Sequence, residues 1–533
     1  MGPALAVTQP ASKLGVVLVA LVAAGVLVDR DQRRRAVLMI AALVLAAVLL
    51  IGHIADTAQF HAISDDARKL VSLVLLGLAA VGGLAVLFRR RPEALPVLAV
   101  AVLPFRIPVA AAGSTANLLV PLYVVIAGGC VAYISRRSAT GSNTGRVGVA
   151  GRHAVAVALA AFIVVYAFQS LYSRDFNQAL EQIVFFYVPF ALLFALLVEV
   201  EWSTRLVAVC AGVAVALAVV FAGIGFWEYH RRELLWNPKV IAANQLQSYF
   251  RVNSVFWDPN IYGRFLMLVM LAVTAWVLWE QRTRMVLWAG VLLAVLWGGL
   301  VLTFSQSSFA ALLAGLAVLS ALRWDARRTA AAAVLGVVAA SLFVLAFQSA
   351  LKIHLGSSSG VNKVTSGRGD LIVGGLDLFR NRPLWGYGSG SFGRAYRQER
   401  NGNQQEAVSA SHTMPITIGA EQGLIGLAAY LAVLFASLRV LFGNDAAGSS
   451  RAPPPDGRMQ NPLLSARAAL AAMFCALVVH TMGYAAFLED PFTWVILAAG
   501  IALAPRAVLV KPRAPAPAQT GKPALAGVTP QAP

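Results

Sequence analysis

The chain has 533 residues, of which 59% are hydrophobic and only 13% charged, and its mean hydropathy is +0.72. A soluble globular chain carries about 25% charged residues, so this composition excludes a soluble fold and predicts an all-α, polytopic transmembrane helix bundle. The formal charge of +19 does not imply a nucleic-acid partner, because most basic residues sit in short loops between apolar segments, where the positive-inside rule places them.

In chain order, about fifteen apolar segments approach the roughly 20 residues that a hydrocarbon crossing needs. They fall at 13–28, 36–54, 69–88, 94–112, 117–135, 154–172, 178–199 and 205–227, then at 261–279, 285–303, 307–322, 329–349, 414–442, 466–487 and 491–510. The first lacks the basic flank of a cleavable signal peptide and is read as a retained helix. Segment 94–112 holds Pro96, Pro104, Arg106 and Pro108 and is the least regular. The three cysteines, Cys130, Cys210 and Cys475, lie far apart within apolar segments and read as helix-packing residues, not metal ligands.

Lysine and arginine in the short loops set the orientation. One set of alternate loops holds Arg30, Arg33, Arg34 and Arg35, then Arg89, Arg90 and Arg91, then Arg136, Arg137, Arg146 and Arg152, and later Arg282, Arg284, Arg323, Arg327 and Arg328. These loops are predicted to be cytoplasmic, together with a Pro-rich insert at 443–462 and a tail at 511–533 of disordered composition. The expected organisation is therefore N-terminal helices (1–150), a membrane core (151–349) with an outer loop at 228–260, a large outer loop (350–413), and C-terminal helices (414–510). The turn "TFSQSS" falls on the outer face as well, so three segments remote in sequence share one side of the membrane.

The first outer segment reads "YFRVNSVFWDPNIYGRFLML", with Asp258-Pro259-Asn260 as a helix-start signal. Arg251 precedes it and reads either as a solvated loop charge or as a ligand for an anionic headgroup. Arg264, about one turn inside the next span, reads either as snorkelling to the interface or as a partner in that role. In "TFSQSS", Ser305 and Gln306 are polar groups where polarity is costly unless satisfied or functional.

In the large loop, Arg368 opens an amphipathic run at 370–380, and Gly386, Gly388 and Gly390 permit tight backbone paths. The loop has no Walker lysine and no dinucleotide fingerprint. His412, just before the next span, reads as a surface residue or as a general base. Glu421 lies about two turns into that span, facing His412 or a water-filled cavity. His480, Glu489 and Asp490 read as buried hydrogen-bonding groups, and Asp65-Asp66 as a solvated turn.

Four stretches, "RVNSVFWDPNIYGRF", "LTFSQSSFAALLAGL", "SGRGDLIVGGLDLFRNRPLWGYGSGSF" and "SHTMPITIGAEQGLIGL", resemble in residues and order the O-antigen ligase family, over roughly residues 150 to 440. The resemblance implies a glycosyltransferase-C-like membrane enzyme, inverting and metal-independent, needing no cofactor. Such an enzyme takes a glycan from an undecaprenyl-diphosphate-linked donor at the outer face of the bacterial cytoplasmic (inner) membrane and passes it to a hydroxyl of a glycan, lipid or wall acceptor. By motif position Arg251 resembles the donor-binding arginine, Arg368 the arginine entering the outer-loop helix, and His412 the base, with Arg264, Ser305, Gln306 and Glu421 as substrate-binding candidates. The chain departs from the family in having Ser305-Gln306 for Ser-Arg and His412-Thr413 for His-Asn. A transporter or flippase of lipid-linked glycan and an inactive envelope scaffold are the alternatives; the charges gather at one face, whereas transporters carry them near the midplane.

Overall fold

A computed structural model describes residues 9–55, 66–111, 114–139, 150–235, 237–246, 249–280, 282–324, 327, 368–399, 411–443 and 462–504. The predicted segment 329–349, nearly all of the insert at 443–462, and the tail lie outside these residues. In chain order the first half holds α1 (Gln9–Val28), α2 (Gln32–Ile54), α3 (Ala67–Arg90), the short α4 (Ala94–Val102), strands β1 (Ile107–Ala111) and β2 (Ser114–Leu118), α5 (Val120–Ala139) and α6 (Ala150–Ser170). Next come α7 (Phe176–Gln182), a π-helical turn (Ile183–Tyr187), α8 (Val188–Val198) and α9 (Thr204–Arg231). The second half holds α10 (Pro238–Leu246), α11 (Pro259–Trp279), α12 (Thr283–Thr303), α13 (Gln306–Arg323), α14 (Arg368–Asn381), α15 (Phe392–Glu399), α16 (Met414–Leu441), α17 (Pro462–His480) and α18 (Pro491–Ala502). Among the described residues, 11 helices are long and apolar enough to cross a membrane, with two shorter apolar helices beside them. The protein is a multi-pass α-helical membrane protein.

Helices start where capping side chains stand. Asp31, Asp66, Ser203, Asp258, Ser305 and Asp490 each accept a backbone N–H of the first turn that would otherwise lack a partner. Asp66, read from sequence as part of a solvated turn, is thus the cap of α3. Pro259 and Pro491 follow their caps directly, where a missing N–H costs nothing.

Segment 94–112 is not one span. Its helix stops at Val102, and β1 pairs antiparallel with β2, Ile107 opposite Leu118. Pro104 and Pro108 explain the stop, since proline donates no N–H and biases the preceding residue away from helix. Segment 466–487 also ends early, at His480, where the N–H of Gly483 closes a turn on the His480 carbonyl (3.1 Å).

The most enclosed span is 176–198, with Phe190, Leu193 and Leu197 wholly buried, while Leu75, Leu76 and Leu78 on α3 and Leu287 and Trp288 on α12 are exposed to the surrounding lipid. Helix α13 packs along α17, α11 along α12 and α17, and α1 and α16 along α6. These pairings gather 171–175, 232–235, 237–246, 249–258, 304–305, 411–413 and 481–490 at one end. The Arg-rich turns at 29–35 and 89–93 lie at the other, where Arg35 and Arg152 both pair with Glu199 at 2.8 and 2.5 Å.

Candidate functional site

At the end opposite the turns at 29–35 and 89–93 the backbone is held in tight, unusual geometry. Among the described residues five non-glycine residues have positive φ: Arg232, Asn237, Ser254, Phe304 and His412, and all five lie at this end. Such backbone is costly and persists where its surroundings hold it. At Ser254 the holding group is Glu228, whose carboxylate accepts the N–H of Asn253 (3.1 Å), Ser254 (2.7 Å) and Leu235 (3.2 Å). The N–H of Val252 donates to the Leu302 carbonyl (3.1 Å), tying the turn before α11 to the end of α12.

This tie carries Arg251 to the "TFSQSS" turn. Its backbone is clasped by the Asn244 amide at 3.1 and 2.9 Å, its Nε donates to the Thr303 carbonyl (2.9 Å), and its Nη2 donates to Asn260 Oδ1 (3.3 Å). Asn260 Oδ1 also accepts from Ser305 Oγ (2.9 Å), which lies 2.8 Å from Ser308 Oγ. Ser308 Oγ is 3.1 Å and Ser307 Oγ 3.3 Å from His480 Nε2, and His480 Nδ1 is 3.1 Å from Arg264 Nη2. Arginine only donates, so Nδ1 accepts and the neutral imidazole carries its hydrogen on Nε2. The rest of the chain then has one direction: His480 Nε2 donates to Ser308, Ser308 to Ser305, and Ser305 to Asn260, which also receives Arg251.

The polar residues at 305–308 therefore divide. Ser305, Ser307 and Ser308 are buried within this chain, whereas Gln306, the first residue of α13, is exposed. The N–H groups of a helix start carry partial positive charge, and Gln306 is the first residue of this one.

Arg264 does not reach the surface. It is 1% exposed, paired with Asp490, and donates to the Ala486 carbonyl (3.1 Å) while its guanidinium packs over the Tyr484 ring at 5.2 Å. Sequence reading missed Asn260 and Asp490 as parts of the site, and gave His480 no place in it. The available signal was a histidine deep in an apolar segment, which needs a buried partner.

His412 is half-buried and hinged onto the same region. Thr413 Oγ1 donates to the Met482 carbonyl (3.0 Å) and the Met414 N–H to the Thr481 carbonyl (3.0 Å), so its flanking residues bind the turn that follows His480. Ser411 Oγ lies 2.8 Å from Thr417 Oγ1, closing the loop end over the first turn of α16. Arg368 is the first residue of α14, which packs on α16.

Glu421 faces neither His412 nor an open cavity. Its carboxylate accepts the N–H of Gly390 (2.8 Å) and Phe392 (3.0 Å), and its carbonyl accepts that of Gly388 (2.8 Å). Gly388, with φ +95°, passes so near Ser173 that a Cβ would sit 2.3 Å from its Cα, and a Cβ on Gly386 would sit 2.3 Å from the Glu421 carbonyl. Only glycine allows those approaches. Nearby, the π-helical turn aims Tyr187 OH at Glu489 Oε1 (2.7 Å), and burial pushes the Glu489 carboxyl above its usual range. Among the described residues no three His, Cys, Asp or Glu side chains gather as metal ligands.

Fold and site together define a membrane-embedded helical protein in which Arg251, Asn260, Ser305, Ser308, His480 and Arg264 form one hydrogen-bonded chain at one end. Residues 291–431 of the 533-residue chain match the family model described as O-antigen ligase. The match suggests a part in glycan ligation or polymerisation at a membrane. No curated protein matches the chain. The matched residues include "TFSQSS", the glycine loop and His412; Arg251 and Asn260 lie outside the match and join it through the hydrogen bonds above.

Proposed function

We propose that the protein transfers or polymerises a surface glycan from an undecaprenyl-diphosphate-linked donor onto an acceptor hydroxyl at the outer face of the bacterial cytoplasmic membrane. The carrying observation is Arg251, half-buried and oriented by Thr303 and Asn260 at the mouth of the Ser305 cluster. In this reading Arg251 and the start of α13 stabilise charge on the departing diphosphate, with Arg368 entering from the outer loop. His412 removes the proton of the acceptor hydroxyl, which attacks the anomeric carbon from the face opposite the diphosphate and inverts its configuration. Gln306 contributes hydrogen bonds where the family pattern has a cation. The chemistry requires a base and charge stabilisation only, so the reaction proceeds without a metal. Glu421 holds the glycine loop in place and does not touch substrate.

The test is purified protein in liposomes with a glycan-diphosphate lipid. Release of undecaprenyl diphosphate coupled to glycan transfer is expected, with a loss of roughly 100-fold or more in Arg251→Ala and in His412→Ala, as for removal of a preorganised charge-stabilising donor. Movement of the lipid without release marks a flippase, and neither event marks a scaffold. Full transfer in Arg251→Ala, His412→Ala and Arg368→Ala alike refutes the mechanism.

A further inference from the structure

Tyr172, Arg382, Pro383, Leu384, Trp385 and Gly386 line a groove of about 630 Å³ at the same end as Arg251. It is built from the turn after α6 and the segment between α14 and α15, none of which contributes to the chain from Arg251 to Asp490. Its walls are fixed: Tyr172 OH donates to the Trp385 carbonyl (2.6 Å), and the Leu424 N–H donates to the Pro383 carbonyl (2.7 Å). Yet Leu384 and Trp385 are 57% and 60% exposed.

Arg382 stands at the edge of this apolar surface, its guanidinium 4.6 Å from the Tyr387 ring centre. Its neighbours Arg174, Arg380 and Arg394 pair with Glu399, Asp377 and Asp175. Among the described residues no carboxylate lies within ion-pair distance of Arg382.

Helix lengths set the depth of the groove. Helix α16 is broken at Gly423, where φ is +63°, so residues 424–441 form a rod of their own, about 27 Å at ~1.5 Å per residue, against roughly 30 Å of hydrocarbon. With Arg439 near its other end, that rod spans the hydrocarbon almost alone, which puts Leu424 near the boundary. Helix α6, 21 residues long, spans the hydrocarbon almost alone and ends just before Tyr172. Below the groove, Phe168 on α6 and Leu424, Leu431 and Phe435 on α16 are exposed. The groove therefore tops a lipid-facing strip at the depth where tryptophan and tyrosine concentrate.

We propose that this groove is an interfacial phospholipid site: the phosphate of an anionic headgroup rests on Arg382, and the glycerol and upper acyl chain lie along Leu384 and Trp385. The planar fork of arginine suits phosphate oxygens, and the adjoining apolar surface suits only a ligand whose phosphate is tethered to hydrocarbon. The occupant is a bilayer phospholipid, and not the lipid-linked donor, because the groove shares no element with the Arg251 chain. Such a lipid pins the glycine loop, and through it Glu421, to the membrane plane.

The test uses the full-length protein in nanodiscs of phosphatidylcholine, pure or mixed equally with phosphatidylglycerol. Lipids brominated high on the acyl chain are expected to quench a fluorescence component that disappears in Trp385→Phe. Native mass spectrometry is expected to show Arg382→Ala retaining phosphatidylglycerol about fivefold less well, the factor for one arginine at an anionic surface, and Arg382→Lys retaining most of it. Thermal melting like the wild type in each variant establishes intact folding. An unquenched Trp385, or undiminished phosphatidylglycerol retention in Arg382→Ala, overturns the proposal. So does displacement of bound phosphatidylglycerol by equimolar undecaprenyl phosphate, which would give the groove to the lipid-linked substrate. None of these readouts needs glycan transfer, so the site stands or falls apart from the proposed reaction.

Discussion

Arg264 and Asp490, 226 residues apart in the chain, form an ion pair in which each side chain is 1% exposed. The pair joins the first turns of α11 to the cap of α18, and Arg264 also fixes the tautomer of His480. Removing one partner leaves a buried, uncompensated charge, at a cost of about 3–5 kcal/mol. Arg264→Ala and Asp490→Ala are each expected to melt far below the wild type in detergent. The double variant Arg264→Met/Asp490→Leu is expected to recover most of that loss, short of the roughly 1 kcal/mol that the Asp490 cap supplies. A double variant no more stable than either single one refutes this account of the pair.

His480 is linked to Arg251 through Ser308 or Ser307, then Ser305 and Asn260. His480→Ala is therefore expected to reduce transfer chiefly by raising KM for the lipid donor. His480→Gln, which keeps a donor near the Nε2 position, is expected to restore part of it. In an Arg251→Ala background the further loss from His480→Ala is expected to be much smaller than in the wild type. Strict additivity in that cycle would separate His480 from Arg251.

Gln306 is exposed at the first position of α13, so its substitution is expected to change stability by no more than about 0.5 kcal/mol. Gln306→Arg adds a cation beside Ser305 and the helix start. Tighter binding of undecaprenyl diphosphate is expected, measured as a lower Kd in nanodiscs. An unchanged or higher Kd would place the diphosphate elsewhere.

Gly388→Ala sets a Cβ 2.3 Å from Ser173 Cα at a φ of +95°. A loss of at least about 2 kcal/mol is expected from strain alone. Gly77→Ala is the control, since a Cβ there meets nothing within 4 Å; inside α3 it is expected to be neutral or to stabilise by up to about 1 kcal/mol. Melting curves of the two variants compare the effects directly.

Glu199 answers to pH at the Arg-rich end. Burial works against its charge, but Arg152 and Arg35 outweigh it and hold the carboxyl below its ordinary value of 4.5. A depressed folded-state pKa means that the ion pairs contribute fully above about pH 4.5 and are lost as the pH falls through the lower folded value. Glu199→Gln is expected to lower stability at neutral pH and to flatten its acid dependence below that point. An acid limb as steep as the wild type's would show that Glu199 is not its source.

Much of the architecture follows from local chemistry and was legible in the chain itself. Apolar length predicted the spans, Asp258-Pro259 predicted the start of α11, and the glycines of "GYGSGSF" marked backbone paths that three positive φ values now occupy. Where prolines interrupted the pattern, at 94–112, length alone misled, because a missing donor outweighs hydrophobicity. The burial of Arg264 was not legible, since a cation inside an apolar helix reads the same whether it snorkels or meets a partner 226 residues away. Nor was the division of "TFSQSS" into three enclosed serines and one exposed glutamine, which depends on how α13 is turned against α17. Sequence determined which segments enter the membrane, through the cost of exposing backbone to hydrocarbon. Tertiary structure alone decided which polar groups satisfy one another there, because that depends on contacts between helices remote along the chain.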